Sequence, residues 1–161
     1  MINFYSADEK NQFVSRETMK KVFIGNTLKP NTYIISINDN RSDMFSMLES
    51  FLECGVDQLM ILPLIFADDD KGIDNTVCAD IKSFVELGFE KNANILVHCF
   101  AGISRSGAVA KWINDYYTMG NSFLECYGNY NRSVYNSLNA YVGCDLASYY
   151  SQMAHQYEVK G

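Results

Sequence analysis

Short aliphatic and β-branched runs recur along this chain and predict its strands. Three of them, at residues 22–24, 33–37 and 59–65, are typical of strands in a packed core. A fourth run, at residues 95–97, reads as a buried strand that ends at His98. Turn residues separate the first two runs, so these segments predict successive strands rather than one long element.

Apolar residues at helical spacing predict helices between and after the strands. A first helix would be capped by Ser42 and stopped by Gly55, and a second would be capped by Asp74 or Asn75. The later elements are a helix from Arg105 to a stop at Gly120, a segment at residues 122–127 and a helix at residues 146–156. Strands that alternate with helices indicate an α/β fold, in which a mostly parallel central sheet is flanked by helices. The binding site of such a sheet is expected at the carboxyl end of a strand.

The segment between the fourth strand and the helix at Arg105 has the features of an anion-binding loop. It reads His98-Cys99-Phe100-Ala101-Gly102-Ile103-Ser104-Arg105-Ser106. Amide groups in a turn that leads into a helix have no helical partners, and the helix dipole adds positive potential. Gly102 permits close approach of the backbone, and the planar guanidinium of Arg105 matches two phosphate oxygens. We therefore expect phosphate to bind at Phe100, Ala101, Gly102, Ile103, Ser104 and Arg105.

Cys99 is the candidate nucleophile of this loop. The positive potential favours a thiolate over a thiol, and a thiolate attacks phosphorus. Ser106 is expected to hydrogen-bond the sulfur and to ease its departure when a covalent intermediate is hydrolysed. We expect His98 to orient the loop rather than to act as a base. Together these residues predict phosphomonoester hydrolysis through a cysteinyl-phosphate.

The loop resembles that of the cysteine-based protein tyrosine phosphatase superfamily, which reads His-Cys-x5-Arg followed by Ser or Thr. The run Ala-Gly-Ile-Ser-Arg-Ser is similar to the variant in small dual-specificity phosphatases and related microbial or viral proteins. The resemblance covers most of the chain between residues 22 and 150, and it implies one phosphatase domain over residues 1–161. It also implies a general acid, which in this family is an aspartate on a mobile loop upstream of the cysteine.

The triplet Asp68-Asp69-Asp70 supplies the candidates for that acid. Matching the helix that follows to the family without gaps places the acid at Asp68, with Asp70 and then Asp69 as alternatives. Gly72 is expected to give this loop the flexibility to close over substrate.

The pair Asn131-Arg132 resembles a segment that related microbial proteins carry between late helices. We expect it to hold helices together, with contact to the loop or substrate as the alternative.

The composition of the chain limits the binding partners and the cellular compartment that we expect. The chain has 161 residues, a net charge of −6 and a pI near 4.8, so neither nucleic acid nor a membrane is an expected partner. The start of the chain lacks the pattern of a signal peptide, and no apolar run is long enough to span a bilayer. The five cysteines show no metal-ligand spacing, and a working thiolate requires a reducing setting. We therefore expect a cytoplasmic monomer that uses no metal or cofactor.

The resemblance implies a protein phosphatase that acts on phosphotyrosine, and also on phosphoserine and phosphothreonine if the cleft is shallow, as a chain of this length suggests. Its partner would be a phosphorylated protein or peptide. One alternative is a phosphopeptide-binding pseudophosphatase or adaptor, although nucleophile, arginine and candidate acid are all present. A second is a phosphatase of nucleotides, RNA ends or small metabolites. The acidic composition and the uncharged loop disfavour polyanionic substrates. The resemblance also implies that phosphoinositides are not the expected substrate, because family members that hydrolyse polyanionic lipids usually carry basic residues in the loop, and this loop has no lysine.

Overall fold

Four parallel strands form one sheet in this computed structural model, which describes residues 10–24 and 28–143. The strands are β1 (Asn11–Ser15), β2 (Thr32–Asn38), β3 (Ile61–Ile65) and β4 (Asn94–Cys99). The helices are α1 (Arg16–Ile24), α2 (Arg41–Glu53), α3 (Asn75–Glu90), α4 (Arg105–Tyr116), α5 (Ser122–Cys126) and α6 (residues 132–143), and a 3₁₀ turn (Gln58–Met60) precedes β3. The strand order is β1-β4-β2-β3. The predicted α/β fold with a parallel sheet between helices is confirmed.

Helices cover both faces of the sheet, which explains the nearly continuous apolar runs of its inner strands. On one face, Leu96 packs in a cluster with Phe51 of α2 and with α1. On the other face, Val97 belongs to a larger cluster with α3, α4, α5 and α6. Because side chains alternate along a strand, Cys99 lies on the face of this larger cluster, and His98 lies on the opposite face, near the Phe51 ring. Within the described segments, no helix combines the length and apolar character needed to cross a bilayer.

The prediction of a strand at residues 22–24 is wrong, because these residues belong to α1. Met19 and Val22 are both buried and lie three positions apart, so they form one apolar side of a helix. The first strand is instead β1, whose sequence Asn-Gln-Phe-Val-Ser is largely polar although all five residues are buried. It pairs with β4 along its whole length, with Ser15 opposite Cys99.

Several helix boundaries also differ from the prediction. Asn40, and not Ser42, caps α2, since its side chain accepts a backbone N–H from the first turn. Asp74 caps α3, which confirms the first of the two caps predicted for that helix, Asp74 and Asn75. Helix α4 ends before Gly120, because Thr118 already adopts a left-handed conformation with φ of 50°. Helix α6 is not predicted by the sequence reading, and the helix predicted at residues 146–156 lies outside the described residues.

The four strands end at one edge of the sheet because they run in parallel. Four segments follow them there: α1 from Arg16, Asp39 after β2, residues 66–74 after β3, and the loop of residues 100–104 after β4. Ligands usually bind at this edge of an open parallel sheet. The fold thereby gathers the predicted functional residues from distant parts of the chain.

Candidate active site

The loop between β4 and α4, called the phosphate loop below, folds tightly over the end of β1. Gly102 has φ of +69°, in the left-handed region that favours glycine. A Cβ atom there would also collide with the backbone of Val14 and Ser15, and would lie 2.7 Å from the Ser15 Cα. The Arg16 N–H donates to the Phe100 carbonyl at 3.1 Å. Glycine at this position and β1 beneath it therefore determine the path of the loop.

The Cys99 sulfur lies at the base of the phosphate loop and is buried, with the residue only 2% exposed. The Gly102 N–H donates to Sγ at 3.2 Å, and the Ser106 hydroxyl lies 3.1 Å from the same sulfur. An amide and a hydroxyl are both donors that can stabilise a thiolate. The structure thus brings the predicted nucleophile together with the glycine and the serine that the sequence singled out.

Three carbonyl groups of the phosphate loop are bound from outside the loop. The Phe100 carbonyl accepts the backbone N–H of Arg16 at 3.1 Å. The Ile103 carbonyl accepts the Tyr127 hydroxyl at 2.7 Å, and the Ser104 carbonyl accepts the backbone N–H of Asn131 at 3.0 Å. In a trans peptide the C=O and the next N–H point in opposite directions. The amides of Ala101, Ser104 and Arg105 therefore turn toward the interior of the loop. Inward amides of this kind form a cradle for an anion.

The Arg105 side chain is buried and held from one side. Its Nη1 donates to the Asp39 carboxylate at 2.7 Å and to the Phe66 carbonyl at 2.9 Å. Its Nε is buried and has no hydrogen-bond partner among the described residues. The guanidinium is therefore fixed in direction and keeps a donor for a ligand oxygen. The sequence analysis did not predict a role for Asp39. Its position directly after β2, the strand beside β4, places it at the same edge of the sheet as the phosphate loop.

Of the three candidate acids, Asp68 contacts the phosphate loop. Its Oδ1 accepts hydrogen bonds from the Ser104 hydroxyl at 2.8 Å and from the Asn131 side-chain amide at 2.7 Å. Asp69 instead accepts a backbone N–H of its own loop at 3.0 Å. Asp70 is exposed, and its side chain has no hydrogen bond or ion pair within residues 10–24 and 28–143. The structure therefore places Asp68 in contact with the phosphate loop, whereas neither alternative makes a side-chain hydrogen bond to that loop within the described residues.

Asn131 joins the segment that carries Asp68 to the phosphate loop. Its backbone amide binds Ser104, and its side-chain amide donates both to Asp68 and to the Asp69 carbonyl at 2.9 Å. Its side-chain oxygen accepts the Val134 N–H at 3.0 Å, which caps α6. The sequence suggested a link between helices, with loop contact as the alternative; the structure shows the loop contact, which Asn131 makes, while the Arg132 guanidinium lies against Tyr130.

Gly72 permits close packing of the acidic segment on α6. It has φ of +73°, and a Cβ there would lie 3.0 Å from the Ser133 carbonyl and against the Ser137 hydroxyl. The Ile73 N–H donates to this same hydroxyl at 3.2 Å. Segment 66–74 is thus docked on α6 just beyond Asp68.

His98 is fully buried beneath the site. Its Nε2 lies 2.6 Å from the Ser36 hydroxyl on the neighbouring strand. Burial lowers the pKa of His98 to about 4, and the positive charges of Arg16 and Arg105 act in the same direction. The imidazole is therefore uncharged near neutral pH and lies on the face of β4 opposite Cys99. This placement suits a residue that orients the loop.

The mouth of the site exposes apolar side chains. Phe100 and Ile103 are 61% and 45% exposed. With Ala101 they line a cleft of about 540 Å³ between the phosphate loop and α1, whose charged lining residues are Arg16, Glu17 and Lys20. The rim beside the buried sulfur therefore offers an apolar surface to a ligand.

Known structures share this fold. No family model and no curated protein matches the sequence. The crystal structure of PTPMT1 aligns with a TM-score of 0.55 at 14% identity, over 88% of this chain and 92% of that one. PTPMT1 in complex with PI(5)P also aligns with a TM-score of 0.55, at 13% identity, over 85% of this chain and 90% of that one. Tk-PTP in the active form aligns less closely, with a TM-score of 0.47 at 16% identity, over 80% and 75%. The chain has the fold of dual-specificity-like, cysteine-based phosphatases, so the predicted resemblance is confirmed at the level of the fold.

Proposed function

We propose that this protein is a cysteine-dependent phosphomonoester hydrolase that acts on phosphotyrosine in proteins or peptides. One observation carries the proposal: the Cys99 sulfur lies between the Gly102 amide and the Ser106 hydroxyl, at the base of a loop whose amides turn inward. Such donors stabilise a thiolate, and they also stabilise the negative charge that develops on a phosphoryl group during its transfer.

In the first step, the Cys99 thiolate attacks phosphorus. A sulfur–phosphorus bond forms while the bond from phosphorus to the leaving oxygen breaks. Asp68 transfers its proton to that oxygen, so the alcohol or phenol departs neutral. Arg105 and the inward amides bind the remaining three oxygens, whose charge is greatest in the transition state.

In the second step, water attacks the cysteinyl-phosphate. Asp68, now a carboxylate, accepts a proton from the water as the new oxygen–phosphorus bond forms. The phosphorus–sulfur bond breaks, and the Ser106 hydroxyl donates a hydrogen bond to the departing thiolate. Inorganic phosphate leaves, and Asp68 and Cys99 return to their starting states.

The burial of Cys99 favours a substrate that carries its phosphate on a long, narrow group. A phosphotyrosine ring meets this need, and the exposed Phe100 and Ile103 give the ring apolar contacts at the rim. Phosphoserine and phosphothreonine are shorter, so we expect them to be slower substrates. The interior of the loop contains no lysine, and Asp39 and Asp68 lie around it, which disfavours a polyanionic headgroup such as that of PI(5)P, the ligand in the PTPMT1 complex.

The test is hydrolysis of p-nitrophenyl phosphate by wild type, Cys99→Ser and a matched control, Cys54→Ser, which removes an exposed thiol. We expect vanadate-sensitive turnover in wild type and in the control, and a loss of at least about 10³-fold in Cys99→Ser. Turnover that survives in Cys99→Ser would refute the nucleophile. Phosphopeptide binding without turnover in wild type would point instead to an adaptor.

The substrate class is tested separately with phosphotyrosine peptide, phosphoserine peptide and PI(5)P vesicles at equal phosphate concentration. We expect the highest kcat/KM with the phosphotyrosine peptide. Faster hydrolysis of PI(5)P would reject the protein substrate while leaving the cysteine mechanism in place.

A further inference from the structure

Tyr127 follows α5 and packs against the phosphate loop from outside. Its ring contacts Phe13 and Phe123, with centroid distances of 4.9 Å and 5.6 Å. It also lies so close to Gly107 that a Cβ there would be 3.3 Å from the tyrosine Cζ. The hydroxyl donates to the Ile103 carbonyl at 2.7 Å. Packing on the ring therefore gives the hydroxyl one fixed direction.

The Tyr127 hydroxyl must be the donor in this contact, because a carbonyl oxygen can only accept. Burial raises the pKa of Tyr127, and the negative charge of Cys99 acts in the same direction. The hydroxyl therefore stays protonated near neutral pH, and its hydrogen bond persists when Cys99 is a thiolate.

This contact determines the direction of one peptide group in the anion cradle. With the Ile103 carbonyl held outward, the Ser104 N–H of the same peptide points inward. Were that peptide to rotate, a carbonyl dipole would face the bound anion in place of a donor. Of the three outward carbonyls, those of Phe100 and Ser104 accept backbone N–H groups from outside the loop. The Ile103 carbonyl instead accepts a side-chain hydroxyl, so a substitution can remove its donor.

We propose that Tyr127 is a positioning residue of the phosphate loop, whose hydroxyl orients the Ile103–Ser104 peptide so that the Ser104 N–H binds a phosphate oxygen. The inference rests on the proposed function and adds a residue to its machinery. The Ser104 N–H stabilises the phosphoryl oxygens most in the transition state, where their negative charge is greatest. Loss of the Tyr127 hydroxyl should therefore lower kcat more than it raises KM.

The test compares Tyr127→Phe with a matched control, Tyr130→Phe. Phenylalanine keeps the ring packing of Tyr127 and removes only the hydroxyl. The control loses a hydroxyl whose partner is Arg132, at 3.0 Å, rather than the loop. The readouts are the dissociation constant of tungstate by calorimetry, the melting temperature, and kcat and KM for p-nitrophenyl phosphate.

We expect tungstate to bind about five- to tenfold more weakly to Tyr127→Phe, the magnitude of one oriented hydrogen bond, and within about twofold of wild type to Tyr130→Phe. Equal tungstate affinities of the two variants would refute the proposal, as would a wild-type protein that binds no tungstate. A lower melting temperature of Tyr127→Phe without weaker tungstate binding would show a purely structural tyrosine. If tungstate affinity falls as expected but no phosphomonoester is hydrolysed by wild type, the positioning role stands and the hydrolase proposal fails.

Discussion

The buried imidazole of His98 makes the stability of this fold depend on pH. Burial lowers its pKa to about 4, whereas the ordinary value is 6.5. Between these two values the unfolded chain binds a proton that the folded chain does not bind. The contribution of His98 to stability is therefore fully present above pH 6.5 and is lost as the pH falls toward 4.

The magnitude follows from the shift in pKa. At 1.36 kcal/mol per unit, the whole shift is worth about 3 kcal/mol, and the part lost between pH 7.5 and pH 5 is about 2 kcal/mol. His98 has no exposed surface, so solvent screening does not reduce this value. A loss of this size is a large share of the stability of an ordinary domain.

The assay is urea unfolding followed by the fluorescence of Trp112, at pH 7.5 and pH 5, for wild type and His98→Asn. Carboxylates titrate in both proteins, so they cancel when the two losses of unfolding free energy are compared. We expect wild type to lose about 2 kcal/mol more than the variant. Equal losses would mean that the folded protein takes up the proton, and the argument from burial would be wrong.

Two further predictions concern the acid and its neighbour. Asp68→Asn should lower kcat about 10²-fold for phenyl phosphate and less for esters with better leaving groups, with Asp70→Asn near wild type; the reverse order would show that the acid is misplaced. Asn131→Asp keeps a side-chain cap for α6 but replaces the amide that donates to Asp68 with a carboxylate, which cannot donate and repels Asp68 from its place at the phosphate loop. We expect about tenfold slower turnover of phenyl phosphate because the general acid is displaced, with Asn129→Asp as the control; equal rates in both variants would remove Asn131 from the site.

Elements with continuous apolar runs were predictable, and elements with polar sequences were not. Strand β1 has two apolar residues among five, and it becomes a strand because it pairs with β4. Helix α6 carries a helical signal in Val134, Leu138 and Val142, which are all buried at a spacing of four. The serines and asparagines between them have low helix propensity and obscure it. In both cases tertiary packing outweighs local preference.

The sequence by itself predicted an anion-binding loop, and it determined that a strand ending at Cys99, a turn with Gly102 and a helix start at Arg105 follow one another. This was possible because strand, turn and helix start are contiguous, so each residue type reports directly on its local geometry. Only the tertiary structure decided that Asp68 faces the loop and that Asp39 holds the arginine. These contacts join residues 36 and 66 positions apart, across the shared edge of a parallel sheet. They depend on strand order and helix docking, and no local pattern of hydrophobic and polar residues encodes either one.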